Sequence, residues 1–389
     1  MGAAAPRTSL TRPAFSIANP AEHALRTRTP PGQRLHSNYN GCADDGEPVS
    51  ETAATKHATI LGAGSFGTAL AVHLARAGHG VRLWARDAAL ARAIGERRSN
   101  PSYLPELTLP DSVAATSDLP AALDGAQLVI SALPSHGTRD VMALAVPFMT
   151  PGTPIVSTTK GLEEGSLLRM SELIGEIAGS SFPVAVVSGP SFAVEVGKGM
   201  PTAVVVAAAN ERIVALVQEE LRTRYLRLYG TSDIVGVEIG GVLKNVIAIA
   251  AGIVEGMAIG HNAVAGLITR GLAEISRLAC ALGARRETLA GLAGLGDLVL
   301  TCTGSLSRNR YVGIELAKGR SLEEIVSSMR MVAEGIKTTD AALALGARTG
   351  VELPIATQMA EVFAGRKDAR AALEELMLRR QRAESDSGW

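Results

Sequence analysis

The stretch "TILGAGSFGTALA" (residues 59–71) constrains this chain more than any other. An apolar run ends directly on Gly62, and Gly62, Gly64 and Gly67 follow in G-x-G-x-x-G spacing ahead of a helical run that stops at Gly78. A strand that turns at once into a helix needs a tight turn at the first glycine, room for close approach to the backbone at the second, and close helix–sheet packing at the third. The helix start then presents N–H groups and the positive end of its dipole to negative charge. The glycines alone fit S-adenosylmethionine as well as a dinucleotide; a surrounding βαβ pattern favours the dinucleotide.

That pattern is present. From Ala58 onward, short apolar runs alternate with helical stretches, and strands are expected at residues 58–61, 81–84, 127–133, 154–159, 184–188 and 202–208. Beyond about Gly236 the sequence reads as helices rich in Ala and Gly. The expectation is therefore an α/β Rossmann-type domain with a mostly parallel sheet over residues 57–240, followed by an all-helical domain over 241–380 and a flexible tail at 381–389. Residues 1–56 are Arg-rich and without periodicity, with Glu22 the one acid before residue 41, and are expected to be a disordered extension. A cytoplasmic location is expected, with an organelle as the alternative if this extension is a transit peptide.

Charge and cysteine content narrow the partners. With 38 basic and 38 acidic residues there is no net field to recruit nucleic acid or an anionic membrane, so an anion must be met by local groups. Cysteines stand only at 42, 280 and 302, which argues against a disulfide scaffold and against a metal site, and points to a reducing compartment. Charge-free segments are broken by Pro147, Pro151 and Pro154 or fall short of a bilayer span, so no transmembrane helix is expected.

Several polar residues stand where such a fold binds ligands. At the end of the second strand, "LWARD" places Arg86 before Asp87; an arginine there suits the 2′-phosphate of NADP, an acid the ribose of NAD, and Asp87 is better placed to cap the next helix. Arg86 alone also fits a solvated strand end. Lys160 follows a strand at the ligand-binding edge or else is a solvated loop lysine. Lys244 opens the apolar run of "EIGGVLKNVIAIAAGIVEGM" (238–257), where burial would lower its pKa; snorkelling to the surface or pairing with Glu238 is the plainer alternative. His136 and His261 sit in loops, suited to capping or to a ligand.

Taken together, "GAGSFGTALA" (62–71), "TTKGLE" (158–163), "SGPSFAVEV" (188–196), "GGVLKNVIAIAAG" (240–252), "LITRGLAEISRL" (267–278), "GLGDLVLTCTG" (294–304), "SRNR" (307–310) and "VAEG" (332–335) resemble the NAD(P)-dependent glycerol-3-phosphate dehydrogenases. The resemblance implies interconversion of dihydroxyacetone phosphate and sn-glycerol 3-phosphate, a phospholipid precursor, with NADP or NAD as cofactor. It implies that Lys244 is the general acid/base and that Lys160 contacts both substrate and cofactor. Gly189, Ser191, Asp297, Ser307, Arg308 and Asn309 match substrate contacts, the last three at the phosphate. Gly62, Gly64, Ser65, Phe66, Gly67, Arg86, Ala193, Arg308, Val332 and Glu334 match the cofactor side. Phe66 departs from the Trp of many relatives but keeps an aromatic wall. Many relatives are dimers, so a homodimer is expected. Ketopantoate or 3-hydroxyacid reductases would use Lys244 equally well but have no need of "SRNR". A methyltransferase would leave Lys244 without a task, and an NADPH-sensing protein would not need Lys160, Lys244, Asp297 and Arg308 together.

Overall fold

A computed structural model of the chain describes residues 56–329, 334–381 and 383. The expected N-terminal extension, Lys56 apart, and most of the expected tail lie outside the described residues, as does Val332. The strands are β1 (His57–Leu61), β2 (Gly80–Trp84), β3 (Ser99–Asn100), β4 (Leu104–Thr108), β5 (Val113–Thr116), β6 (Leu128–Ser131), β7 (Ile155–Ser157), β8 (Val184–Ser188), β9 (Thr202–Ala208) and β10 (Leu226–Thr231).

Eight of them form one sheet in the order β10-β9-β8-β7-β6-β1-β2-β5, while β3 and β4 pair separately. Every pair in the large sheet is parallel except β8 with β9. The six expected strands are all present, two of them shorter than expected. β7 stops at Ser157, and the hydroxyls of Thr158 and Thr159 then donate to the carbonyls of Ser131 and Leu133, which turns the chain out of the sheet before Lys160. Two sheet strands were not anticipated. β5 is a short "VAAT" with weak strand preference, and β10 is an edge strand on which Arg227 and Tyr229 face solvent between buried Leu226 and Leu228.

Because side chains alternate across a strand, neighbouring residues feed opposite cores. Ile60 joins Leu70, Leu74, Leu83 and Val206 on one face, whereas Leu61 joins Val129, Met142, Ile155 and Leu173 on the other. Such two-sided burial explains why β1 reads as continuous apolar sequence.

The helix Ile234–Gly256 runs straight through residue 240 and links the sheet to the helical layer. Its early residue Val237 packs with Val186 and Ala207 of the sheet, and its later residues Val246, Ile249 and Ile253 lie in the helical core. With 23 residues and an 18-residue window of mean hydropathy 1.8 it is long and apolar enough to cross a bilayer by composition, yet 89% of that window is buried inside the protein. It is a core helix, apolar all round because protein surrounds it.

Glycines let its neighbour come close. A Cβ on Gly252 would lie 2.0 Å from the carbonyl oxygen of Arg310, and one on Gly313 would lie 1.9 Å from that of Ile249, so the helix Arg308–Ala317 crosses it backbone to backbone. This crossing fixes the start of the second helix, and with it Ser307, Arg308 and Asn309. Gly252→Ala is expected to cost about 1–3 kcal/mol by overpacking, seen as a lower urea midpoint at unchanged slope; an unchanged midpoint would show that the helices separate freely.

Candidate functional site

The glycine loop is built as its spacing demands. Gly62 has φ +113°, and a Cβ there would sit 2.7 Å from the carbonyl oxygen of Ala132; at Gly67 it would sit 1.9 Å from that of Gly62. Gly64 differs, since a Cβ there meets nothing within 4 Å. The described residues leave this position open, so the loop fits a group that approaches the backbone from outside. Gly64 is the N-cap of the helix Ser65–Arg76, which has no side-chain cap and no acid in its first turn. That terminus is suited to a pyrophosphate. Around it, Ser65 donates its hydroxyl to the Tyr103 carbonyl at 3.2 Å, and Phe66 packs partly buried against the sheet core, as does Ala193 at the start of the helix Ala193–Lys198. Arg86 is exposed just beyond β2, and Asp87 caps the helix Ala88–Arg97 by accepting from the N–H of Ala89.

In a second cluster, lysines from two different elements meet on one carboxylate. Lys244 lies on Ile234–Gly256 and donates from Nζ to Oδ1 of Asp297 at 2.5 Å and to Oγ1 of Thr301 at 2.9 Å. Lys160, from the loop after β7, donates to Oδ2 of Asp297 at 2.5 Å and to the carbonyl of Gly189 at 3.0 Å. Asp297 is 1% exposed and Lys244 6%. Burial lowers the Lys244 pKa to about 8; the Asp297 charge pulls it up, and the like charge of Lys160 pushes it down again. The expected alternatives for Lys244 are thereby overturned, since it neither snorkels nor pairs with Glu238. Glu238 instead binds Arg169 and Ser171.

Local sequence explains the convergence. "GG" before Lys244 removes Cβ atoms that would lie 2.7 Å from the Ala293 carbonyl oxygen (Gly240) and 2.9 Å from Ser188 Oγ (Gly241), so the helix touches both the Lys160 side and the Asp297 side. Asp297 opens the helix Asp297–Thr303 directly after a π-helical turn, Leu292–Gly296, a distortion often found at functional sites. Gly189 has φ +140° and its carbonyl also accepts from the Ser191 hydroxyl at 2.9 Å, which orients it toward Lys160.

The "SRNR" segment opens a helix as its Ser predicts. Ser307 Oγ accepts from the N–H of Arg310 at 3.2 Å. Asn309 is 9% exposed and spends part of its amide internally, donating to Asn245 Oδ1 at 3.1 Å and accepting from the N–H of Gly335 at 3.0 Å. Asn245 in turn donates to Glu334 at 3.5 Å. Burial raises the Glu334 pKa, opposed by Arg308, Lys244 and Lys160 and least by His136, so all four act on one acid. Thr301 and Asn245 belong to this cluster and were not anticipated. Thr301 stands four residues after Asp297, one helical turn, and that spacing was the available signal. His136 is exposed, and His261 is the exposed first residue of the helix His261–Ala281. Among the described residues no group of three His, Cys, Asp or Glu could hold a metal ion.

A glycine loop between a parallel strand and a helix, together with a buried lysine held by a carboxylate, fits a pyridine-nucleotide-dependent oxidoreductase. Residues 57–214 match the model of the NAD-dependent glycerol-3-phosphate dehydrogenase N-terminus, and residues 233–374 that of its C-terminus. The chain belongs to the NAD-dependent glycerol-3-phosphate dehydrogenase family. It is 50% identical over 324 residues to the glycerol-3-phosphate dehydrogenase [NAD(P)+] of Koribacter versatilis, covering 82% of this chain and 96% of the relative. It is 49% identical over 328 residues to that of Myxococcus xanthus, covering 84% and 98%. The crystal structure of glycerol-3-phosphate dehydrogenase from Coxiella burnetii superposes with a TM-score of 0.80 at 40% identity, covering 84% of this chain and 99% of that one.

Since none of the described residues occupies the space beside Gly64, Gly64→Ala is expected to leave the melting temperature unchanged while weakening NAD(P)H binding at least about tenfold in a fluorescence titration. Gly67→Ala, with backbone in its way, should lower the melting temperature instead. Equal effects of the two on stability would remove the distinction.

Proposed function

We propose that the protein is an NAD(P)-dependent sn-glycerol-3-phosphate dehydrogenase that interconverts dihydroxyacetone phosphate and sn-glycerol 3-phosphate, supplying the latter for glycerophospholipid synthesis. The observation that carries this reading is the buried Lys244 ammonium, held by Asp297 and Thr301 and brought to a pKa of about 8. When bound at the glycine loop, the nicotinamide supplies or takes up the hydride.

Lys244 donates its proton to the ketone oxygen as negative charge develops there, and its pKa close to working pH makes that transfer facile in both directions. Lys160 adds a second positive charge beside the same oxygen. Asp297 keeps both ammonium groups aimed inward and balances part of their charge, while Thr301 fixes the Lys244 Nζ. Gly189 and Ser191 border the substrate, and Ser307, Arg308 and Asn309 take its phosphate at the start of Arg308–Ala317. Gly62, Gly64, Ser65, Phe66, Gly67, Arg86, Ala193 and Glu334 form the cofactor side, with Arg86 favouring NADP over NAD. We divide the chain into a dinucleotide-binding part over 57–240 and a substrate-binding part over 241–380. A homodimer in the cytoplasm completes the reading, supported in part by the free thiols of Cys280 and Cys302.

Lys244→Ala should reduce turnover of dihydroxyacetone phosphate about a thousandfold or more while NAD(P)H still binds. Reduction needs the ammonium form, so its rate should be full below about pH 8 and decline above it, with glycerol 3-phosphate oxidation showing the opposite limb. A wild-type kcat in the variant would refute the assignment. Arg308→Ala should raise KM for dihydroxyacetone phosphate about 10- to 100-fold and leave an unphosphorylated ketone unaffected; an equal loss on both ketones would speak against phosphate recognition. Assays with 2-ketopantoate serve as the control for a carboxylate substrate.

A further inference from the structure

Glu238 is a buried acid that the proposed mechanism does not use. It is 5% exposed, and burial raises its pKa against the charge of Arg169 and the donors of Ser171. Its oxygens accept from Arg169 Nη1 at 2.5 Å, from the Ser171 hydroxyl at 2.6 Å and from the Ser171 N–H at 2.9 Å. A buried ion pair of this kind is a poor device for stability alone, because an apolar pair of similar size often does as well. What it does supply is a fixed register between the elements it joins.

Those elements are the two that carry the lysines. Glu238 sits on Ile234–Gly256 ahead of Lys244. Arg169 ends the loop that Lys160 begins, and that loop is closed on itself by the bridge of Leu162 with Arg169 and by Glu163 N–H donating to the Leu168 carbonyl at 3.0 Å. Arg139 holds its middle through Glu163, with bonds of 2.6 and 2.9 Å. The Lys160 stem lies along the same helix at Gly241, where a Cβ would stand 3.5 Å from its Cγ. The loop is thus fastened to the Lys244 helix at its far end by charge and at its near end by the shared carboxylate of Asp297.

We propose that Glu238, Arg169 and Ser171 form a positioning clamp that sets the Lys160 loop against the Lys244 helix, so that both ammonium groups reach Asp297. None of the clamp residues touches the reacting atoms; they act through Lys160. The inference rests on the reading of Lys244 as the proton donor. The groups facing Lys244 are Asp297, Thr301 and Cys302 from one helix, Lys160 from the loop, and Glu334 from the helix Glu334–Thr349. When the loop shifts, Lys160 is the one that leaves. The like charge beside Lys244 then weakens, and its pKa rises.

The test compares Arg169→Met/Glu238→Gln, which removes both buried charges and releases only the half-exposed Glu172, the other partner of Arg169, with Lys160→Met and with the triple variant, in the full chain. The double variant should melt near the wild-type temperature, lose about a hundredfold in kcat/KM for dihydroxyacetone phosphate, and move the basic limb of its pH profile upward. The triple variant should be no worse than Lys160→Met. A folded double variant with wild-type kcat/KM and pH limb, or losses that multiply in the triple variant, overturns the clamp. Arg169→Lys, which keeps the charge without the planar fork, covers the case of a double variant that does not fold: it should show the same upward limb, and an unmoved limb counts against the clamp. Lys244→Ala, run alongside, reports on the proton donor independently, since a turnover it retains condemns that reading whatever the clamp variants do.

Discussion

One carboxylate holds the site together. Asp297 receives an ammonium from each side, and the buried Lys244 could not stay beside the half-buried Lys160 without it, because two like charges in a poorly solvated place repel strongly. The surrounding architecture brings that carboxylate to the two amines. A π-turn delivers Asp297, a glycine pair lets the Lys244 helix press against both neighbours, and the chain leaves β7 early so that Lys160 can bend inward.

The fold was largely legible because its strands are short apolar runs buried on both faces, a pattern that stands out against amphipathic helices. The elements that escaped notice were those whose character comes from position. β10 carries Arg227 and Tyr229 because it borders solvent, and β5 is too short and too rich in alanine to announce itself. The helix boundary behaved in the same way. Composition changes near residue 240, but the backbone does not break there, since one helix serves both layers.

At the site, residue type and spacing identified the groups but not their partners. The apolar run around Lys244 makes burial of the amine legible, but Glu238, the nearest acid in sequence, turns away to Arg169, and the partner that Lys244 takes lies 53 residues further on. Asn309 shows the converse. It matches a phosphate contact by motif, while half of its amide is committed to Asn245 and Gly335, linking three helices in a way no local pattern records.

The central helix also bears on how the chain is made. Its covering comes both from strands synthesised before it and from the helices Asp297–Thr303, Arg308–Ala317 and Glu334–Thr349 synthesised after it. On the ribosome, therefore, a segment as greasy as a membrane span must wait partly uncovered until later parts of the chain emerge. A chain halted before those helices emerge would carry an apolar surface of the kind that aggregates.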